Sequence, residues 1–273
     1  MTLIVGILCS DGVVVASDSF ATYAAGAAPT IGQQHVDKVL KIGNDCIYAS
    51  TGAVGMSQIV SAVIEQLQVA GVLTQPAIVG ATKPSTEAMK VIASNIRAQV
   101  LPTLQAAAET VPLVGMQAAG ATAMVKCLVA VAVNHKPCLF QFDYSGAPEE
   151  ATAQLPFVAL GSGQPLADPF LAFLKRVIWE DKQPTVAEGR LVAAWTVRHV
   201  SLTNFGGVGL PVQLATLTIG AAGAPVVMIG DPGEHDQAVL SAEAALRDYI
   251  TKPAQAGGPA AAIPPQPPQA PPL

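Results

Sequence analysis

Two apolar, β-branched runs open the chain. Residues 3–9 (LIVGILC) and 12–18 (GVVVASD) are separated by Ser10-Asp11 and followed into the second run by Gly12, a pattern that predicts a hairpin. Residues 38–42 and 46–50 predict a second hairpin around Gly43-Asn44-Asp45. The period then changes. Ile59, Val60, Val63, Ile64 and Leu67 fall on one face of a helix, and Met89, Ile92, Ile96 and Val100 mark a second helix near Pro102. The link between them, Gly71 to Pro84, is long and reads as an exposed loop. Strand patterns return at 121–134, 138–144 and 156–160, followed by Gly161-Ser162-Gly163. Helices are predicted at about 165–179 and 185–201, the latter opening on Pro184 and a Thr185-to-Glu188 capping box. Strands at 211–219 and 224–229 and a helix at about 233–250 complete the series.

The elements therefore come in blocks: strands, two helices, strands, two helices, strands, helix. Alternating βα units would build a parallel sheet; these blocks predict an α+β fold with two antiparallel sheets face to face and helix pairs outside. The folded domain is expected over residues 1–252. Residues 253–273 are mostly Pro, Ala, Gln and Gly and are expected to form a disordered, polyproline-biased tail.

Composition narrows the function classes. The 273 residues suffice for one large domain or two small ones. Apolar residues make up 51% and charged residues 12%, which suits a chain that buries much surface against copies of itself, and equally a plain soluble enzyme. A net charge of −5 and a pI near 5.3 argue against nucleic acid as a partner. The mean hydropathy of +0.45 invites a membrane reading. However, the apolar run around Leu128 to Val133 falls far short of the roughly 18 residues a span needs. The N-terminus lacks a basic segment, so it does not read as a signal peptide. Cys9, Cys46, Cys127 and Cys138 show no CxxC spacing and read as buried free thiols in a reducing cytoplasm. His35, His135, His199 and His235 show no metal-ligand spacing, and no cofactor is expected.

Candidate chemistry starts at Met1-Thr2. Methionine before a small residue is readily removed, leaving Thr2 with a free amine. A threonine hydroxyl needs an adjacent base. An α-amino group, with an ordinary pKa of about 7.7–8.0, supplies one near neutrality. Taken alone, Thr2 is as well explained as the start of a strand, Asp18 as a strand-ending turn residue and Lys38 as a solvent-facing strand lysine.

Together these residues resemble the proteasome β-subunit family. The resemblance rests on Thr2, on Ala16-Ser17-Asp18-Ser19-Phe20-Ala21-Thr22, and on Val36-Asp37-Lys38-Val39-Leu40-Lys41-Ile42. It continues in Ser50-Thr51-Gly52-Ala53-Val54-Gly55 and Leu160-Gly161-Ser162-Gly163-Gln164. It covers residues 2 to about 60 well and 156 to about 210 moderately, and is nearest to the bacterial proteasome-like homologues. It implies a four-layer αββα N-terminal-nucleophile hydrolase fold. Thr2 Oγ would attack a scissile carbonyl, Lys38 would lower proton affinity around it, and Asp18 would hold Lys38. The Gly52 amide would serve as oxyanion donor and Ser162 would orient the Thr2 amine. Thr22 backbone groups would hold an extended substrate as an added strand. A first specificity pocket would be lined by Ala21, Val36, Leu40, Ser50 and Val54, favouring apolar substrate residues.

One departure is visible. The family carries an Asp with a Ser three residues later, where this sequence has Asn204 and Gly207. The resemblance further implies a cytoplasmic threonine endopeptidase in homo-oligomeric stacked rings, acting on peptides or unfolded proteins, with an ATP-dependent unfoldase as a conceivable partner. The α-type subunits of that family carry an N-terminal helical extension for which this sequence leaves no room. Two other functions compete: a catalytically silent ring subunit of the same fold, favoured by Asn204, and a small-molecule amidase.

Overall fold

The computed structural model describes residues 2–23, 32–114, 124–180, 182–203 and 207–251. Met1, Asn204 and the Pro-rich segment 253–273 lie outside the described residues. The chain divides into a unit spanning Met1–Asp236 and a smaller one spanning Gln237–Leu273.

The larger unit contains twelve strands among its described residues: β1 (Ile4–Leu8), β2 (Gly12–Ser17), β3 (Phe20–Tyr23), β4 (Gly32–His35), β5 (Val39–Ile42), β6 (Cys46–Gly52), β7 (Val125–Val133), β8 (Lys136–Phe142), β9 (Pro148–Glu150), β10 (Phe157–Leu160), β11 (Gln213–Ile219) and β12 (Pro225–Ile229). They form two five-stranded sheets, ordered β10-β1-β2-β11-β12 and β5-β6-β7-β8-β9, with β3 and β4 as a separate ribbon. Every pairing is antiparallel.

The sheets face each other across an apolar layer. Ile4, Val13 and Val15 of the first sheet meet Ile47, Leu128, Ala130 and Leu139 of the second. A side chain at Gly6 would press on Leu128 and Leu139, so the sheets approach closely there. β1 and β2 are apolar at almost every position because their other face is covered too. Helices α1 (Val54–Val69), α2 (Pro76–Val79) and α3 (Pro84–Val114) lie on the second sheet, where Met56, Val60, Ile64, Ile92 and Ile96 pack on Tyr48, Val129 and Phe140. Helices α4 (Gln164–Leu174) and α5 (Val186–Thr203) cover the first sheet; a side chain at Gly189 of α5 would collide with Cys9 and touch Val14. The result is the αββα sandwich expected from the block order. The smaller unit contains most of the final helix, α6 (Asp236–Thr251).

The capping box at α5 forms in both directions. Glu188 accepts from the Thr185 amide at 2.7 Å, and Thr185 Oγ1 accepts from the Glu188 amide at 3.3 Å. Asp11 Oδ1, from the β1–β2 turn, takes the Val186 amide at 2.7 Å and ties the same helix start to the first sheet. Thr185→Ala is expected to lower stability by about 1 kcal/mol in a urea titration, with the slope unchanged.

The structure corrects the reading of 71–84. That link holds a 3-10 turn (Val72–Thr74) and the short α2, and it buries Leu73 and Ile78 against α1 and α3. Leu73 and Ile78, with the half-buried Val72 beside them, join the core that α1 and α3 build on the second sheet. α3 also continues through Pro102, because the Leu-, Gln- and Ala-rich stretch after it favours helix strongly enough to tolerate one lost ladder bond. The helix predicted at 165–179 closes as a π-turn over Lys175–Trp179. The β3–β4 ribbon and β9 carry no strand signal that we read in the sequence.

Candidate active site

Thr2 lies just before β1, and main-chain atoms hold it on both sides. The Leu3 amide donates to Asp18 Oδ1 at 2.9 Å, and the Asp18 amide donates to the Leu3 carbonyl at 3.2 Å. This extends the β1–β2 register, in which Ile4 opposes Ser17, by one further link. On the other side, the Gly163 amide donates to the Thr2 carbonyl at 3.2 Å. Gly161 adopts φ +103°, and a side chain there would run into the Thr2 carbonyl. The turn after β10 therefore needs glycine at 161 for both its backbone angle and its closeness to Thr2.

Asp18 is fully buried at the end of β2. Its Oδ2 accepts from the Phe20 amide at 3.2 Å and the Gly209 amide at 3.3 Å. Gly209 has to be glycine because the Phe20 ring lies over its Cα. Lys38 sits in the short link between β4 and β5. Its backbone amide donates to Gln213 Oε1 at 2.8 Å, and Gln213 Nε2 donates to the Val36 carbonyl at 2.7 Å. One side chain from β11 thus clamps the segment that carries Lys38.

These supports aim the Lys38 ammonium at two acceptors. It donates to Asp18 Oδ1 at 2.7 Å and to Thr2 Oγ1 at 3.1 Å. The pair is enclosed, with 7% of the lysine side chain and none of the aspartate exposed. Burial pushes the Lys38 pKa below the ordinary lysine value, and the Asp18 carboxylate and its hydrogen bond act against that shift. The lysine is thus nearer to sharing its proton than a surface lysine. The Thr2 amide nitrogen donates to Ser162 Oγ at 3.1 Å.

Thr2 opens on a cleft of about 580 Å3. Of the residues singled out in the sequence, Lys38, Gly52 and Ser162 line it beside Thr2. Gly52, at φ +117°, ends β6, where a side chain would strike the Met124 carbonyl. The expected pocket residues Ala21, Val36, Leu40, Ser50 and Val54 also line the cleft. Thr22 lies next along β3, opposite Gln33. Asn204 falls outside the described residues, whereas Gly207 is described and adopts φ +104°.

Sequence reasoning missed three contributors. Tyr48 and Ser57 line the cleft, and Gln213 clamps the Lys38 segment. Tyr48 could have been found from strand alternation with Ser50, and Ser57 from helical spacing with Val54. Gln213 offered no local signal. The four cysteines are buried and free, and burial pushes the Cys46 thiol up to about 12. No group of three or more His, Cys, Asp or Glu side chains among the described residues could hold a metal ion. No described helix is long and apolar enough to cross a membrane.

No family model matches the chain, and no curated relative matches it. Solved structures do. The Anbu Gly-1 mutant from Hyphomicrobium sp. strain MC1 is 18% identical, with a TM-score of 0.59 over 93% of this chain and 99% of that one. Anbu, described as an ancestral beta-subunit, from Yersinia bercovieri is 16% identical, with a TM-score of 0.59 over 92% of this chain and 98% of that one. At these identities the likeness is one of fold: the chain shares the layered sandwich of these two structures.

Proposed function

We propose that this chain is a threonine endopeptidase whose nucleophile is Thr2, exposed when Met1 is removed. The observation that carries the reading is the buried relay from Asp18 through Lys38 to Thr2 Oγ1, at 2.7 and 3.1 Å, opening on a cleft. A plain structural ion pair has no need of a third contact to a hydroxyl at the mouth of a cleft.

The chemistry follows from the positions. Thr2 Oγ attacks the scissile carbonyl carbon as its proton passes to the freed Thr2 amine. Lys38, fixed by Asp18, stabilises the developing alkoxide by its charge. The tetrahedral oxyanion is met by the Gly52 amide. The amine then protonates the leaving nitrogen as the C–N bond breaks, giving an ester on Thr2. Water, deprotonated by the same amine, hydrolyses that ester and restores the hydroxyl. Ser162 Oγ keeps the amine oriented throughout.

By the family resemblance of its sequence, the chain would act in homo-oligomeric rings that enclose the clefts. Its substrates would be peptides or unfolded proteins, in the cytoplasm.

Intact-protein mass spectrometry with a peptide epoxyketone tests the reading. We expect loss of Met1 and one adduct per chain, with no adduct on Thr2→Ala. A processed chain that never takes up the probe would sink the protease and favour a silent ring subunit.

A further inference from the structure

Residues 209–214 are the common support of the relay. The Gly209 amide donates to Asp18, the Pro211 carbonyl accepts from Ser19 Oγ, and Gln213 holds the Lys38 amide and the Val36 carbonyl. The residues on either side of Gln213 are fastened elsewhere. The Gly233 amide donates to the Val212 carbonyl at 3.2 Å, and the Gly230 amide to the Leu214 carbonyl at 2.8 Å. Gln213 is therefore bracketed by two bonds from one turn, residues 230–235, between β12 and α6.

Three side chains close that turn. Arg190, on α5, forms an ion pair with Glu234 and donates from Nε to His235 Nε2 at 3.1 Å. His235 Nε2 also stands 3.3 Å from Glu234 Oε1. The Glu234 carboxylate lies over Gly230, where a side chain would strike it. The other charged groups around His235 are Asp231 and Asp236, its neighbours along the chain, and Arg198 of α5, which reaches Asp236 at 3.6 Å. β11 brings only the apolar Val212 and Leu214.

A guanidinium donates and has nothing to accept with. His235 can take the Arg190 proton only through a bare Nε2, so its imidazole is neutral, with its own proton on Nδ1. Burial holds the His235 pKa below the ordinary histidine value; the Glu234 charge opposes this shift and Arg190 adds to it. A proton on Nε2 ends the acceptance. Two donors then face each other, and the imidazolium competes with Arg190 for Glu234.

We propose that Arg190, Glu234 and His235 form a proton-sensitive latch on the relay. Closed while His235 is neutral, it holds the 230–235 turn on β11 and thereby Gln213 on the Lys38 segment; opened by acid, it lets that segment loosen. The three are positioning residues, and none lines the cleft. The proposal rests on the proteolytic reading given above and adds its regulation. Because the folded pKa is the lower one, the latch is closed above the ordinary histidine range and is lost as pH falls through the folded value.

Hydrogen exchange of the full chain, read by mass spectrometry on peptides spanning residues 36–42, tests the latch without turnover, since the Lys38 amide is the donor to Gln213. Corrected for the intrinsic rate, this segment should exchange about fivefold faster at about pH 5.5 than at about pH 7.5, as loss of one hydrogen bond implies, with β2 unchanged. His235→Gln, which keeps a neutral acceptor, should be equally protected at both pH values. Arg190→Met should exchange fast at both. His35→Gln, the control at the other histidine near this segment, should behave as the wild type. Epoxyketone uptake by His235→Gln, divided by that of the wild type to cancel titration of the Thr2 amine, should be near one at neutral pH and rise severalfold in acid. Wild-type protection that ignores pH, or a response that survives in His235→Gln, overturns the latch. A chain that never takes up the epoxyketone while the exchange response stands overturns the protease reading alone.

Discussion

Replacing Asp18 with alanine should lower the unfolding free energy by about 3–5 kcal/mol. The cost comes from what is left behind. Asp18 accepts from the Lys38 ammonium and from the Leu3, Phe20 and Gly209 amides in a site closed to water. Without it a buried ammonium loses its carboxylate, and backbone donors of three segments lose their acceptor. Lys38→Met should cost less, about 1–3 kcal/mol, because the carboxylate keeps those three amides. Urea titrations of both single variants and the double variant check the asymmetry. The double variant should be less destabilised than the sum of the two, since the partners share one interaction. Additive losses would mean that the pair does not act as a unit. There is a pH signature as well. Lys38 has a folded pKa below its unfolded one, so the unfolded chain binds more protons in the window beneath the ordinary lysine value. Its contribution is most unfavourable below the folded pKa and is relieved as pH rises toward the unfolded one. Lys38→Met should flatten that rise.

Gly161→Ala should cut turnover about a hundredfold while leaving most of the fold in place. The glycine sits at φ +103° with its Cα against the Thr2 carbonyl. A methyl group there is strained in its own backbone angle and pushes directly on Thr2, the proposed nucleophile. A displacement on the order of 1 Å is enough to lose about two decades of rate. kcat on a fluorogenic peptide, together with a circular-dichroism melt, separates the two effects. A variant with normal kcat would show that Thr2 does not need this turn to hold it. A variant that is merely unfolded would show the glycine serving the fold alone.

The sandwich was legible in the sequence because strand and helix periods come in blocks, and blocks of that order fit two antiparallel sheets. Asp18, Lys38 and Ser162 were legible because each sits in a short segment that matches a family pattern. The remainder was hidden for physical reasons. The β3–β4 ribbon consists of four-residue strands without apolar alternation that pair only with each other, outside the two main sheets. Residues 71–84 carry turn residues and no sustained period, so they read as a loop, yet Leu73 and Ile78 anchor them in the core. Gln213 reaches a segment 175 residues away, a distance over which sequence pattern carries nothing. The Ser50–Ser57 hydrogen bond joins a strand to a helix across a turn, so neither period alone reveals it.

Gln213 has one more consequence. Thr2 and Asp18 belong to the first sheet's strand ends, Lys38 leads into the second sheet, and the glutamine that fastens the Lys38 segment comes from the first. The relay therefore does not exist on either half of the molecule. A nascent chain with only one sheet formed has a threonine with no lysine, or a lysine with no carboxylate. If the chain is the protease proposed above, cutting power would arrive only when the two layers close, and a half-made copy would be harmless to itself and to its neighbours.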